Sequence, residues 1–377
     1  MRGLIKEMAY LKIENKKILL IRSLDILSDS RVQRYENYFK QNNIPYRILG
    51  WDRENKGIKR EHTDYCTIQA DYNLGAKGIK YRVRWNAYIF KYLIGHRKKY
   101  DIIHACDFDT IIPSLFMKLF GKRVIFDIFD WFSDEVHTGN KIIDFTINTL
   151  EKLSVKLADL TILCEEERIN QIECKPKKNI IIPNIPNMYI DIQEDIKSNE
   201  EQDIVIGYVG GFYPDRGLVE LIELVSNTAN IKLRIAGFGN KDIENKAIQY
   251  SRQYSNIIYY GKVEYDEAIQ IMKSCDILYA MYYKTNRNNI FAAPNKFYES
   301  IFLKRTIITT KGTLVGDKVE KEQIGFVIEE GYKPLKNLLE HLDEGVLKSK
   351  REALKKCSEK YKDRFAICMM EYAKFIE

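Results

Sequence analysis

No apolar run in the 377-residue sequence approaches the ~20 residues that a membrane-crossing helix needs, and the first twenty residues lack a signal-peptide core. No C-x-x-C pair occurs. The seven cysteines (Cys66, Cys106, Cys164, Cys174, Cys275, Cys357 and Cys368) are scattered, an odd set that excludes a disulfide frame or a structural zinc site and suits a reduced, cytoplasmic compartment. His104, Asp107 and Asp109 of "HACDFD" would need a tighter cluster and a further partner to hold a metal, so no metal is expected. There is no G-x-G-x-x-G and no low-complexity tract or short-period repeat. From Tyr72 to Tyr100 there is no acidic residue.

What is present describes a globular chain: 45% hydrophobic residues, 12% aromatic, and a net charge of +7. That charge permits an acidic partner, such as a phosphate ligand or an anionic lipid, without demanding one. The length suits two domains of about 150 residues each. "KKILLIRS", "IPYRILGWDR", "YDIIHACDFD", "KRVIFDIFD" and "NIIIPNIP" read as buried strands. "RVQRYENYFKQNN" and "TIIPSLFMKLFG", the latter closed by Gly121, read as helices. In "LEKLSVKLADLTILCEEE" a helix runs into a strand and then an acidic helix start. Residues 187 to 203 are polar and acid-rich, a linker, after which the alternation restarts with "DIVIGYVGGFYPDRG", "IKLRIAGFGN", "IIYYGKV", "CDILYAMYY" and "RTIITT". Two similar α/β halves with parallel sheets, joined near residue 195, are therefore expected. The tail from Lys350 onward reads as helical, with Leu354, Cys357, Tyr361, Phe365 and Cys368 at helical spacing.

Several stretches carry possible chemistry. "GYVGGFYPDRG" (207–217) reads as a strand and a Gly-rich loop entering a helix, where Gly210 and Gly211 would admit backbone amides to a diphosphate and Arg216 would add a bidentate charge. Taken alone, the stretch is better explained by tight-turn glycines. "IAGFGN", with Gly237 and Gly239, repeats the device at the next strand end. In parallel sheets, ligands lie at the carboxyl ends of strands, so these loops would line one crevice. "AAPNKFYESI" (292–301) reads as a loop turning into a helix, with Pro294 at its start, Lys296 in the first turn and Glu299 one turn after Asn295. A helix start can hold phosphate and a carboxylate one turn in can hold sugar hydroxyls, although an ordinary capped helix has the same pattern. "KGIKYRVRWNAYIFKYLIGHRKKY" places Val83, Ala87, Phe90 and Ile94 at helical spacing, with Arg84, Lys91 and Lys98 every seven residues. That pattern fits either an anionic membrane surface or a plain surface helix whose stripe packs on the sheet. No RNA-binding motif accompanies it, so nucleic acid is not an expected partner.

In series, "DIIHACDFDT", "LEKLSVKLADLTILCEEE", "IIPNIPN", "IGYVGGFYPDRGL", "LRIAGFGN", "IIYYGKV" and "AAPNKFYESIFLKRTIITT" resemble the retaining GT-B glycosyltransferases of family four, in that family's order and over nearly the whole chain. The segment "DSRVQRYENYFKQNNIPYRILGWDR" is similar to the family's first helix and second strand. The resemblance implies an α/β, GT-B fold of two doubly wound Rossmann-like domains facing a central cleft. Residues 1–190 would bind the acceptor, 200–360 the donor, and a helix at about 360–377 would pack back on the first domain. It implies a UDP- or GDP-sugar donor as co-substrate, no cofactor and no metal, and retention at the anomeric carbon. The acceptor would be lipid-linked or an oligosaccharide, reached at the cytoplasmic face of a membrane.

Carried over by position, Glu299 matches the second glutamate of the family's E-x₇-E motif and would accept hydrogen bonds from both ribose hydroxyls. Arg216 matches the basic residue on the diphosphate; Lys296 and the amides around Ala293, Pro294 and Asn295 would face the same phosphates, and Lys262 and Val263 would border the base. Arg216 and Lys296 would carry the catalytic load, since charge on the leaving diphosphate is the main electrostatic demand of the transfer. Asp107 and Asp109 are the acceptor-site candidates. The chain departs from the family at three positions: Phe291 replaces the first glutamate, Gly211 an arginine, and Phe129 a histidine whose role Asp130 or His137 would share. Other functions that fit are a nucleotide-sugar 2-epimerase and a non-catalytic sugar-nucleotide or partner-binding subunit.

Overall fold

The computed structural model describes residues 16–26, 29–70, 78–186 and 203–377. The expected linker falls almost wholly on residues 187–202, which lie outside the described residues. The chain divides into two compact units, one formed by Met1–Pro183 with Asp363–Glu377 and the other by Asn184–Lys362.

The first unit holds a seven-stranded parallel sheet: β1 Ile18–Ile21, β2 Tyr46–Trp51, β3 Thr63–Cys66, β4 Ile102–Cys106, β5 Arg123–Ile128, β6 Leu160–Leu163 and β7 Asn179–Ile181, in the order β3-β2-β1-β4-β5-β6-β7. Both faces of β1, β4 and β6 are buried, which is why these strands read as unbroken apolar runs rather than alternating ones. The helices are α1 Ser30–Gln41, α2 Ile79–Gly95, α3 Phe108–Phe116, α4 Lys141–Leu157 and the short α5 Arg168–Ile172. A 3₁₀ turn, Met117–Phe120, extends α3 to Gly121, whose left-handed φ of 73° closes it. Trp85, Ile89 and Leu93 of α2, Ile111 of α3 and Val155 of α4 share one core against the sheet, while α1 packs in a second core on other sheet residues.

The second unit repeats the plan with six parallel strands: β8 Ile204–Phe212, β9 Ile231–Gly239, β10 Ile257–Tyr259, β11 Ile277–Ala280, β12 Thr306–Thr310 and β13 Gly325–Ile328, ordered β10-β9-β8-β11-β12-β13. Its helices are α6 Leu218–Ser226, α7 Lys241–Gln253, α8 Tyr265–Lys273, α9 Asn295–Leu303, α10 Leu314–Glu322, α11 Tyr332–Glu340 and α12 Glu344–Tyr361. In both sheets the strand order reverses at the first strand, beside β4 and β11 respectively, and that reversal opens a crevice at the carboxyl ends.

Three expectations change in the structure. The helical tail is two elements: α12 ends at Tyr361, and a separate helix, α13 Arg364–Ile376, packs in the first unit in the same core as α1. There Arg123 donates to the carbonyls of Phe375 and Ile376 at 2.6 and 2.8 Å. Gly210, Gly211, Gly237 and Gly239 lie inside β8 and β9, not in loops after them, paired Gly210 with Gly237 and Gly211 with Phe238. Finally, the stripe Val83–Ala87–Phe90 faces outward on α2, since the side packed on the sheet is Trp85–Ile89–Leu93.

Candidate functional site

The carboxyl ends of β8 and β9 are built on close approach. Gly237 has φ 141°, and a Cβ there would fall 1.9 Å from the Gly210 carbonyl oxygen; at Gly239 (φ 150°) it would meet that of Phe212 at 2.5 Å. Only glycine allows the two strands to run this far together. Beyond β8 the chain makes a 3₁₀ turn, Pro214–Arg216, and Gly217 (φ 63°) starts α6. Arg216 is fixed on three sides: its guanidinium donates to Asp215 Oδ1 at 2.9 Å and to Asn289 Oδ1 at 3.2 Å, and stacks 4.5 Å from the Tyr282 ring. Asn289, itself buried, donates to Asp215 Oδ2 (2.6 Å) and to the Tyr283 carbonyl (2.7 Å), so one amide orients the arginine and its carboxylate together.

Pro294 is the non-helical residue before α9, so Lys296 sits in the first turn and Glu299 one turn later. The preceding loop is held by Asn184, whose Nδ2 donates to the Ala293 carbonyl at 2.8 Å. Lys296 Nζ lies over the Tyr208 ring at 5.0 Å and would be 2.9 Å from a Cβ on Gly210, so the ammonium covers the glycine end of β8. Desolvation lowers the Lys296 pKa; the Glu299 carboxylate pulls it back up, and Arg216 pushes the same way as burial. Glu299 is buried. At the neighbouring strand end, the Gly237 amide donates to the Gly261 carbonyl at 2.7 Å, and exposed Lys262 reaches over the Phe238 ring at 4.8 Å with Val263 following. The expected donor residues Gly210, Gly237, Arg216, Ala293, Pro294, Asn295, Lys296 and Glu299 thus come from the ends of β8 and β9 and the start of α9, and Lys262 and Val263 from the loop after β10. Phe291 lies one turn before α9 with Arg287 6.0 Å from its ring, and a side chain on Gly211 would collide with Tyr213. Reading the sequence missed Tyr208, Tyr282 and Asn289. A ring two residues before the paired glycines was a readable signal for Tyr208; Asn289 had none.

The carboxyl ends of the first sheet gather charges that neutralise one another. Asp107, just past β4, has a left-handed φ of 64°. Its carboxylate takes the Phe129 amide at 2.8 Å and an ion pair from Arg22, which also donates to Asp29 at 2.6 Å. Burial lifts Asp107 to about 6, against the pull of Arg22 and with the push of Asp130. Asp109 pairs with Arg82 at 3.2 Å. Both expected acceptor carboxylates are therefore already engaged by arginines. Asp130 is exposed and only 3.6 Å from Arg168. Phe129 packs against two guanidinium groups, Arg22 at 4.1 Å and Arg31 at 4.9 Å. Behind it, fully buried Asp127 accepts from Arg31 (2.8 Å) and Tyr35 (2.7 Å) and faces His104 Nε2 at 3.3 Å, while His104 Nδ1 meets the Tyr372 hydroxyl of α13 at 3.0 Å. His104, Cys106 and Asp127 stand close enough to share an ion. The Arg31 guanidinium and the two ring nitrogens' partners already satisfy that pocket, so the trio reads as a buried network.

Residues 190–364 match the family model described as glycosyl transferases group 1. No curated protein matches the chain. Among solved structures, it is similar to a sucrose-phosphate synthase from Thermosynechococcus elongatus (TM-score 0.66, 14% identity, 93% of this chain and 100% of that one). It is also similar to a glycosyltransferase involved in lipopolysaccharide biosynthesis (0.66, 14%, 95% and 99%) and to an Anabaena protein, HepE, in complex with UDP (0.59, 14%, 96% and 99%). The fold is thus the two-domain α/β GT-B fold, and within it residues 190–364 carry the match to the group 1 glycosyl transferases.

Proposed function

We propose that the enzyme moves a sugar, with retention at the anomeric carbon, from a UDP- or GDP-sugar to a lipid-linked or growing glycan acceptor in cell-surface polysaccharide or glycoconjugate synthesis. It works as a peripheral protein on the cytoplasmic face of a membrane. The observation that carries the reading is the pair Lys296 and Arg216, preorganised beside strand ends made of glycine. Positive charge fixed before the reaction stabilises the charge that grows on a leaving diphosphate, and it needs no metal to do so. Glu299 then takes the ribose hydroxyls, Lys262 and Val263 border the base, and the second unit as a whole holds the donor. The first unit holds the acceptor, with exposed Asp130 as its candidate catalytic carboxylate and Asp107 and Asp109 shaping the rim through Arg22 and Arg82. A nucleotide complex in a structural neighbour agrees with the donor class.

The test is a thermal-shift screen of UDP- and GDP-sugars in EDTA, followed by donor hydrolysis by wild type and by Glu299→Ala. One nucleotide-sugar should raise the melting temperature and be hydrolysed without metal. Glu299→Ala should weaken its binding by about 1.5–3 kcal/mol, the loss expected for a charged hydrogen-bond partner. Tight binding with no turnover of donor in any condition would point to the non-catalytic alternative, which the Phe129 and Phe291 replacements favour.

A further inference from the structure

Helix α4 is amphipathic the wrong way round. The residues it buries are Glu151, Ser154 and Val155, and the Glu151 carboxylate caps the Phe132 and Ser133 amides at 2.7 and 2.9 Å. Its outward face carries Ile142 (77% exposed), Phe145 (72%), Leu150, Leu153 and Leu157. A helix in a globular unit normally turns such a stripe inward.

The neighbouring elements continue the surface. On α2 the exposed residues include Val83 and Phe90, and the Phe90 ring meets that of Phe116 on α3 at 4.9 Å. Phe116 in turn lies 6.1 Å from Phe120, next to Leu119, which is 77% exposed. Because the inner sides of α2, α3 and α4 share one core, the three helices lie on the same side of the sheet and turn their outer sides away from it together. Exposed apolar surface of this extent marks an interaction site rather than chance.

Charge decides what covers it. Arg84 and Lys91 on α2 and Lys141 and Lys156 on α4 are exposed on the same helices. The acidic side chains of the three helices are few and engaged: Asp109 pairs with Arg82, Asp144 accepts from Thr138 at the surface, and Glu151 is buried. A second copy of the chain docking through this face by two-fold symmetry would set these cations against themselves. Anionic headgroups around inserted apolar side chains satisfy both features at once.

We propose that the α2–α3–α4 face is a membrane-insertion surface: Ile142, Phe145, Leu153 and Leu119 enter the headgroup–acyl boundary of an anionic bilayer, and Arg84, Lys91, Lys141 and Lys156 hold its phosphates. This deepens the proposed function by naming the bilayer-contacting residues, and it rests on that reading only for the lipid-linked acceptor. The surface the sequence pointed to, the basic helix alone, is one of the three helices; the inserting element is α4, whose apolar stripe the sequence alone did not mark.

The test is sedimentation of the full chain with phosphatidylcholine vesicles, with or without phosphatidylglycerol, at low and high salt and without donor. Wild type should bind the anionic vesicles, weaken with salt, and keep a salt-resistant remainder. Each cation near the surface is worth about fivefold in binding. Reversing Arg84, Lys91, Lys141 and Lys156 to Glu should therefore abolish sedimentation, and Ile142→Asp with Phe145→Asp should remove the salt-resistant part. All six side chains are exposed, so the melting temperature should hold. In Phe145→Trp the new indole should shift to the blue and be quenched by brominated lipid, against a background of three tryptophans that are all buried. Failure of wild type to bind anionic vesicles at low salt, or unchanged binding by the Asp double variant, overturns the insertion. So does a lipid-free dimer in sedimentation equilibrium that the Asp variant dissolves. Because no donor is present, vesicle binding stands or falls apart from nucleotide-sugar binding, and the two readings fail separately.

Discussion

The two units present the same architectural position, the carboxyl ends of the first strand and its neighbours, and fill it with opposite electrostatics. In the first, arginines meet carboxylates: Arg22 with Asp29 and Asp107, Arg31 with Asp127, Arg82 with Asp109. In the second, Lys296 lies over Tyr208 and Lys262 over Phe238, while Arg216 stacks on Tyr282 and also pairs with Asp215 at 2.9 Å. A ring holds a cation in place while leaving most of its charge for a ligand, whereas a carboxylate cancels it. The same contrast holds for backbone: paired glycines open the ends of β8 and β9, while the first unit turns after β4 on Asp107 in a left-handed conformation. The lesson is that an anion site is recognised less by how many basic residues it has than by what those residues lean on.

The largest effect that would test the contrast is in the first unit. Arg31→Met leaves Asp127, which has no exposed surface, facing only Tyr35 and His104. Removing one partner of a buried ion pair costs about 3–5 kcal/mol. Urea unfolding should show a loss of that size, with nucleotide affinity in the surviving folded protein unchanged. A loss below 1 kcal/mol would mean that His104 or Tyr35 compensates Asp127 without the arginine.

Lys296→Met should do the reverse. It removes a desolvated ammonium that packs on an aromatic ring, so stability should hold or rise slightly, whereas UDP or GDP affinity should fall by about 1.5–3 kcal/mol, roughly tenfold to 150-fold. Isothermal calorimetry reads the loss directly. Equal affinities for wild type and variant would remove Lys296 from the phosphate site and dissolve the comparison between the units.

Much of this was legible beforehand because burial on both faces writes itself into a parallel strand as an unbroken apolar run. β1, β4, β5, β6, β8 and β9 announce themselves in this way. β3, "TDYC", and β13, "GFVI", do not: they are half-buried edge strands, and a short edge strand carries too little apolar sequence to be seen. The start of α9 was legible because proline fixes a helix entry locally. The placement of Gly210 and Gly237 inside strands was not, since the sequence cannot say how far two glycine-bearing strands remain paired. The arginine pairs of the first unit were invisible for a different reason. Arg22 and Asp107 are 85 residues apart, and only the sheet order brings them together. The outward stripe of α4 escaped because periodicity reports that a helix has two faces, not which one the core takes.

The smallest effect is a pH dependence that separates the two kinds of cation. Burial favours the neutral form of Lys296, so its folded pKa lies below the ordinary lysine value of roughly 10.4. The sign follows: this group contributes stability above its unfolded pKa, and that contribution is lost as the pH falls and the buried amine is charged. A bound diphosphate acts in the opposite direction, favouring the ammonium and raising its pKa. Between the lowered and the ligand-raised values, binding takes up a proton, and affinity must fall as pH rises. Wild-type UDP affinity should therefore decline as the pH rises through the alkaline range, by less than tenfold per pH unit. Lys296→Arg keeps a charge that no accessible pH removes, so its affinity should stay level after the same treatment. Titration of the nucleotide itself is common to both proteins, and the difference between the two profiles isolates Lys296. Parallel profiles for wild type and Lys296→Arg would show that the ammonium is not what the phosphates meet, leaving Arg216 as the cation that holds the donor.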